Sequence, residues 1–98
     1  MKIDKNTNVL IVGLGMIGGS YAKGLAKQGI LANAIDIDED TIRYARERHI
    51  INKGSTTADP KMIGEADVII SGLYPSTFLQ WMREKQWFFK IGAIITDV

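Results

Sequence analysis

The sequence predicts an α/β fold, a doubly wound parallel sheet, and three observations carry that prediction. Short, wholly apolar runs alternate with helical patterns along the chain, the first such run, "NVLIV", passes straight into a glycine-rich turn, and Asp36 ends the second strand candidate. A strand buried on both faces loses the alternation of a half-exposed one, so a continuous β-branched run points to a parallel sheet covered by helices.

The elements follow in order. "NVLIV" is the first strand and ends at Gly13. From Met16 to Gln28 the apolar residues Ile17, Tyr21 and Leu25 recur every four positions beside Ala22 and Ala26, which predicts a helix stopped by Gly29. "LANAID" reads as a second strand. "DEDTIRYARERH" opens with carboxylates and closes with bases, the order a helix dipole favours, and places Ile42 and Ala45 on one face. "IINKGSTT" holds a short third strand, and "DPKMIG" a turn or single helical turn with Pro60 near its start. "ADVIISG" is a fourth strand, "PSTFLQWMREKQ" a helix with Phe78, Leu79 and Met82 on one side, and "GAIITDV" a fifth strand. Parallel neighbours need crossover connections, which the helices supply, and the expected strand order is 3-2-1-4-5.

A length of 98 residues suits one domain, 1–98, with a single organisation. A sixth strand would follow Val98 in the six-stranded form of this fold, so the sheet is expected to be cut short after about five strands. The unpaired edge of "GAIITDV" then predicts self-association. The absence of cysteine excludes disulfides, thiolate metal sites and cysteine nucleophiles, and no metal site is expected. A net charge of +1 with both signs interspersed gives no basic stripe for nucleic acid. No apolar stretch approaches a membrane span and the N-terminus lacks the pattern of a signal peptide, so the cytoplasm is the expected location.

Gly13-Leu14-Gly15-Met16-Ile17-Gly18 fits G-x-G-x-x-G. Such a string is weak alone, but here it follows a buried strand, opens a helix, and is followed eighteen residues past Gly18 by Asp36. In that context Gly13 permits the tight turn, Gly15 lets the backbone approach a pyrophosphate, and Gly18 lets helix and strand pack closely. The N–H groups at the helix start, with their partial positive charge, face the phosphates. These are the features of a Rossmann-type dinucleotide site. A mononucleotide phosphate loop would need lysine where Gly19 stands. Asp36 can accept hydrogen bonds from the adenosine ribose and would repel a 2′-phosphate, which favours NAD over NADP. Asp38, Glu39 and Asp40 are read first as helix-capping acids.

Ser71, Gly72, Leu73 and Tyr74 follow the fourth strand on the edge where open α/β sheets bind ligands, and either line the cofactor or form an ordinary strand-to-helix turn. His49, the sole histidine, ends the second helix away from that edge and is read as a solvated helix terminus. Trp81, Trp87, Phe88 and Phe89 are read as packing for the fourth helix or as a contact surface. No general acid or base pair is visible, so no catalytic residue is assigned.

With these residues in view, the stretches "VLIVGLGMIGGSYAKGLAKQG", "AIDIDEDTIRYARERHIINKGSTT", "EADVIISGLYPSTFLQWM" and "IGAIITDV" resemble the N-terminal NAD-binding domain of prephenate dehydrogenase over nearly the whole chain. The resemblance implies NAD-dependent oxidative decarboxylation of prephenate to 4-hydroxyphenylpyruvate in tyrosine biosynthesis, in a homodimer whose catalytic groups come from segments beyond the fifth strand. It implies cofactor-binding positions at Gly13 to Gly18 for the pyrophosphate, with Leu14 among them, at Asp36 with Ile37 for the ribose, and at Ser71 to Tyr74. Two residues depart from the pattern: Leu73, where many members carry proline, and His49, where glycine commonly ends the helix. Other readings left open are an NAD-sensing regulatory domain, an arogenate dehydrogenase and a hydroxy-acid dehydrogenase.

Overall fold

The computed structural model describes residues 3–97. Five strands, β1 (Val9–Val12), β2 (Ala32–Ile35), β3 (Ile51–Ser55), β4 (Val68–Ser71) and β5 (Ile94–Asp97), alternate with α1 (Met16–Lys27), α2 (Glu39–Glu47), α3 (Pro60–Glu65) and α4 (Pro75–Lys85). A short 3₁₀ turn over Gln86–Phe88 leads from α4 towards β5. All strand pairs are parallel and the order is β3-β2-β1-β4-β5, the Rossmann-type arrangement expected from the sequence. Val98, which the sequence places at the end of the fifth strand, lies outside the described residues.

β1 and β4 are inner strands buried throughout, which is why β1 and the first three residues of β4 are unbroken apolar runs, with Ser71 as their one buried polar residue. Val9 and Ile11 of β1 point to one face and Leu10 and Val12 to the other. The first face packs against Ala22 and Leu25 of α1 and Ile42 and Ala45 of α2. The second packs against Met62 and Ile63 of α3, with Trp81 of α4 and Phe89 partly buried around it. At the start of β4, Asp67 ties three segments together: its carboxylate accepts from the Asn8 N–H at 2.9 Å and from Lys90 Nζ at 2.5 Å, while its carbonyl accepts from the Ile94 N–H.

Helix ends match their residues. Asp38 caps α2 by accepting from the Asp40 N–H, and Asp59 caps α3 by accepting from the N–H groups of Lys61 and Met62. α1 and α2 end in the same way: the N–H groups of Gly29 and Ile30 donate to the carbonyls of Ala26 and Leu25, and those of His49 and Ile50 to Arg46 and Ala45. This is the Schellman closure, which needs a left-handed residue after the cap. Gly29 meets that need at φ 80°, and His49 does so at φ 56°, as the one non-glycine residue with positive φ among those described.

Two helix faces differ from the periodicity reading. α1 buries Gly18, Ala22 and Leu25; of the expected row only Leu25 is buried, while Ile17 is 56% exposed and Tyr21 also faces outward. The helix lies so close to the sheet that its contact row must be small, and glycine contributes nothing to an apolar pattern. On α4, Phe78 is buried and Met82 turns partly inward as expected, but Leu79 is exposed and Trp81 turns partly inward in its place. Trp81 then sits between Phe78 and Phe89, with ring centroids 6.1 and 5.9 Å away.

Candidate functional site

The C-terminal ends of β1, β2 and β4 converge on the glycine turn. Gly13 takes φ 92°, where an L side chain is strained. Its N–H donates to the Ile35 carbonyl at the end of β2, and the Gly72 N–H donates to the Val12 carbonyl, so the turn is hydrogen-bonded to both neighbouring strands. Gly13, Gly18 and Gly72 form one contact: a Cβ on Gly18 would lie 1.9 Å from the Gly13 carbonyl oxygen, and a Cβ on Gly72 would lie 2.5 Å from that same oxygen. Gly72, expected from the sequence at the cofactor edge, therefore packs against the turn.

Gly15 is different. It caps α1 with extended backbone, no side chain accepts from the first N–H groups of the helix, the first turn carries no acid, and a Cβ built there would meet nothing within 4 Å. Unlike α2 and α3, α1 thus begins with donors that no side chain among the described residues satisfies and with open space beside Gly15. A pyrophosphate fits that combination of donors, dipole and clearance. Met16, 91% exposed, and Ile17 stand at the same helix start. The Leu14 side chain is buried between α1 and α2, so at the site this residue offers backbone alone.

Asp36 follows β2 at the rim. Its Oδ2 accepts from the Leu14 N–H at 2.8 Å and its Oδ1 from the Asp38 N–H at 2.9 Å. A carboxylate has about four acceptor positions, which leaves lone pairs for ribose hydroxyls. Ile37, beside it, is 93% exposed, an apolar surface of the size and position to lie against a base. Ser71 is wholly buried and its Oγ accepts from the Leu73 N–H at 3.0 Å, which shapes the β4–α4 turn from beneath. Leu73 lines the crevice, while Tyr74 is exposed at the start of α4.

That crevice is a cavity of about 360 Å³ with a mostly apolar wall of Val12, Ile35, Ala58, Leu73 and Trp81 and with Asp36 and Ile37 at its mouth. Thr56, Ala58, Thr77 and Lys85 belong to this wall and were not singled out by the sequence reading, and Trp81, expected from the sequence as packing or a contact surface, stands among them. Thr77, Trp81 and Lys85 do recur every four residues along α4, a face that spacing alone could have revealed. His49 lies just past the C-terminal end of α2, at the opposite end of that helix from Asp36 and Asp38. Among the described residues no group of histidines and acids could hold a metal, and no helix is long and apolar enough to cross a membrane.

No family model and no curated protein matches the chain. Solved structures do match it. Prephenate dehydrogenase from A. aeolicus, in complex with hydroxyphenyl propionate and NAD+, is similar over 98% of this chain, with a TM-score of 0.82 and 29% identity, and this chain covers 34% of it. Synechocystis arogenate dehydrogenase is similar over 94% of this chain and 32% of its own, with a TM-score of 0.84 and 25% identity. A 3-hydroxyisobutyrate dehydrogenase from Mycobacterium tuberculosis, at 21% identity and a TM-score of 0.79 over 93% of this chain and 31% of that one, shares the fold. The chain spans about a third of the length of these structures.

Proposed function

We propose that this chain is the NAD-binding part of a dehydrogenase that oxidises prephenate, with arogenate as the alternative substrate. The observation that carries the cofactor reading is the uncapped start of α1 behind an unobstructed Gly15, with the Asp36 carboxylate at the rim of the adjoining cavity. The pyrophosphate would be held by the N–H groups at Gly15, Met16 and Ile17, the adenosine ribose by the outward lone pairs of Asp36, and the adenine by the apolar wall containing Ile37, Leu73 and Trp81. The bound nicotinamide supplies the hydride acceptor. Similarity at 25–29% identity to a prephenate and an arogenate dehydrogenase, over nearly all of this chain, supports the substrate class.

The cavity rim carries one carboxylate, Asp36, already holding two N–H groups, and one amine, Lys85. Neither is part of an acid–base pair, so these 98 residues are expected to bind the cofactor without turning substrate over. Calorimetric titration with NAD and NADP tests the cofactor: NAD is expected to bind at least about tenfold tighter, because Asp36 would face the 2′-phosphate. Tighter binding of NADP would overturn the assignment. Turnover of prephenate by the 98-residue chain would overturn the division of labour.

A further inference from the structure

The carboxylate that the cofactor reading gives to the ribose is already engaged in the ligand-free chain. It accepts from the Leu14 N–H, which belongs to the peptide unit joining Gly13 to Leu14. The carbonyl of that unit is the Gly13 oxygen, lodged against the Gly18 and Gly72 backbones so tightly that neither could carry a Cβ. A trans peptide is planar, with its N–H and C=O pointing in opposite directions. One end of this plane is therefore fixed by two glycines, Gly18 and Gly72, and the other by Asp36, and Asp36 is itself braced by the Asp38 N–H at the start of α2.

We propose that Asp36 is a positioning residue for the glycine turn as well as a ribose ligand: by holding the Gly13–Leu14 peptide, it sets the direction in which Gly15 and the first N–H groups of α1 present themselves. The inference rests on the dinucleotide reading. It also goes beyond it, because it predicts that removal of Asp36 weakens the hold on the pyrophosphate even when the ligand has no ribose hydroxyls for Asp36 to bind. The glycine contacts alone leave the plane free to pivot about its oxygen. Gly13, without a side chain, offers the least resistance to such a pivot.

The test uses the 98-residue chain, NAD, and an NAD analogue lacking the 2′- and 3′-hydroxyls of its adenosine ribose. Asp36→Ala is expected to weaken the analogue by about fivefold or more, and NAD by a larger factor. Asp36→Asn keeps one oxygen for the Leu14 N–H but turns an NH2 group towards the Asp38 N–H, so it should weaken the analogue less than Asp36→Ala does while still losing NAD affinity. Equal binding of the analogue by the unsubstituted chain and Asp36→Ala would overturn the proposal. Amide exchange at Leu14, measured without ligand, is a second readout: it should be protected in the unsubstituted chain and in Asp36→Asn, and lose at least about tenfold in protection in Asp36→Ala. Unprotected Leu14 in the unsubstituted chain overturns the proposal even if Asp36→Ala fails to fold. If neither NAD nor the analogue binds while Leu14 is protected through Asp36, the cofactor reading fails and the positioning contact stands.

Discussion

The Gly13 carbonyl oxygen lies where a Cβ of Gly18 would have to be, at 1.9 Å from its ideal position. The first turn of α1 is thus seated on the end of β1 through backbone. Gly18→Ala must push the helix off the turn or break the contact with Gly72, and overpacking of this kind costs about 2 kcal/mol or more. Urea denaturation of the variant is expected to show that loss, with the midpoint lowered and the slope unchanged. A variant as stable as the original would mean that the close approach is not what fixes this glycine.

Gly15→Ala separates packing from ligand clearance within the same motif. Its φ of −66° suits alanine and nothing lies within 4 Å of the new methyl group, so the structural cost is limited to a poorer helix cap, about 1 kcal/mol at most. The methyl group would occupy the space assigned to the pyrophosphate. NAD affinity by calorimetry is expected to fall by about tenfold or more while the urea midpoint moves little. Unchanged affinity would move the phosphates away from the start of α1.

His49 at φ 56° does the work that Gly29 does at the end of α1. A left-handed residue with a Cβ carries strain of about 1–2 kcal/mol, partly offset because glycine makes the unfolded chain more flexible. His49→Gly should therefore stabilise the chain by roughly 0.5–1 kcal/mol, read as a raised thermal midpoint. A lower midpoint would show that the imidazole contributes more at this helix end than its backbone strain costs.

What could be read from the residues follows from where their side chains go. β1 and most of β4 were legible because burial on both faces favours apolar residues at successive positions, and the turn after β1 was legible because each of its glycines stands at a fixed spacing. The inward face of α1 was not, because its closest contact is made by Gly18, which has no side chain to register, and the visible apolar row of Ile17 and Tyr21 lies on the outside. Ser71 could be placed at a strand end, yet nothing local says that its hydroxyl turns back to the Leu73 N–H. The far wall of the cavity, Ala58 and Trp81 among it, is assembled from segments that meet through tertiary packing alone.

At the N-terminal ends of the strands, the Lys90 ammonium and the Asn8 N–H hold the Asp67 carboxyl below the ordinary aspartate range, against a smaller opposing effect of desolvation. A depressed folded value means that the contribution is complete above the ordinary value and is lost as the pH falls through the folded one. The stability difference between the original chain and Asp67→Asn should thus be constant near neutrality and shrink below about pH 4. Urea midpoints measured across that range check it. A difference that grows on acidification would contradict the ion pair's role in joining β1, β4 and β5.

Trp81 forms part of the cavity wall, stacked near Phe78 and tilted against Phe89, whereas Trp87 is 84% exposed and absent from that wall. The two indoles therefore report on different surfaces. If adenosine enters the cavity, NAD should change the emission of Trp81 by replacing water at its exposed edge, and this change should survive Trp87→Phe and vanish in Trp81→Phe. Phenylalanine keeps an apolar ring between Phe78 and Phe89, so aromatic contacts worth about 0.5–1.5 kcal/mol each are largely retained and the variant should fold. A signal that disappears with Trp87 instead would place the dinucleotide outside the cavity bounded by Asp36, Leu73 and Trp81.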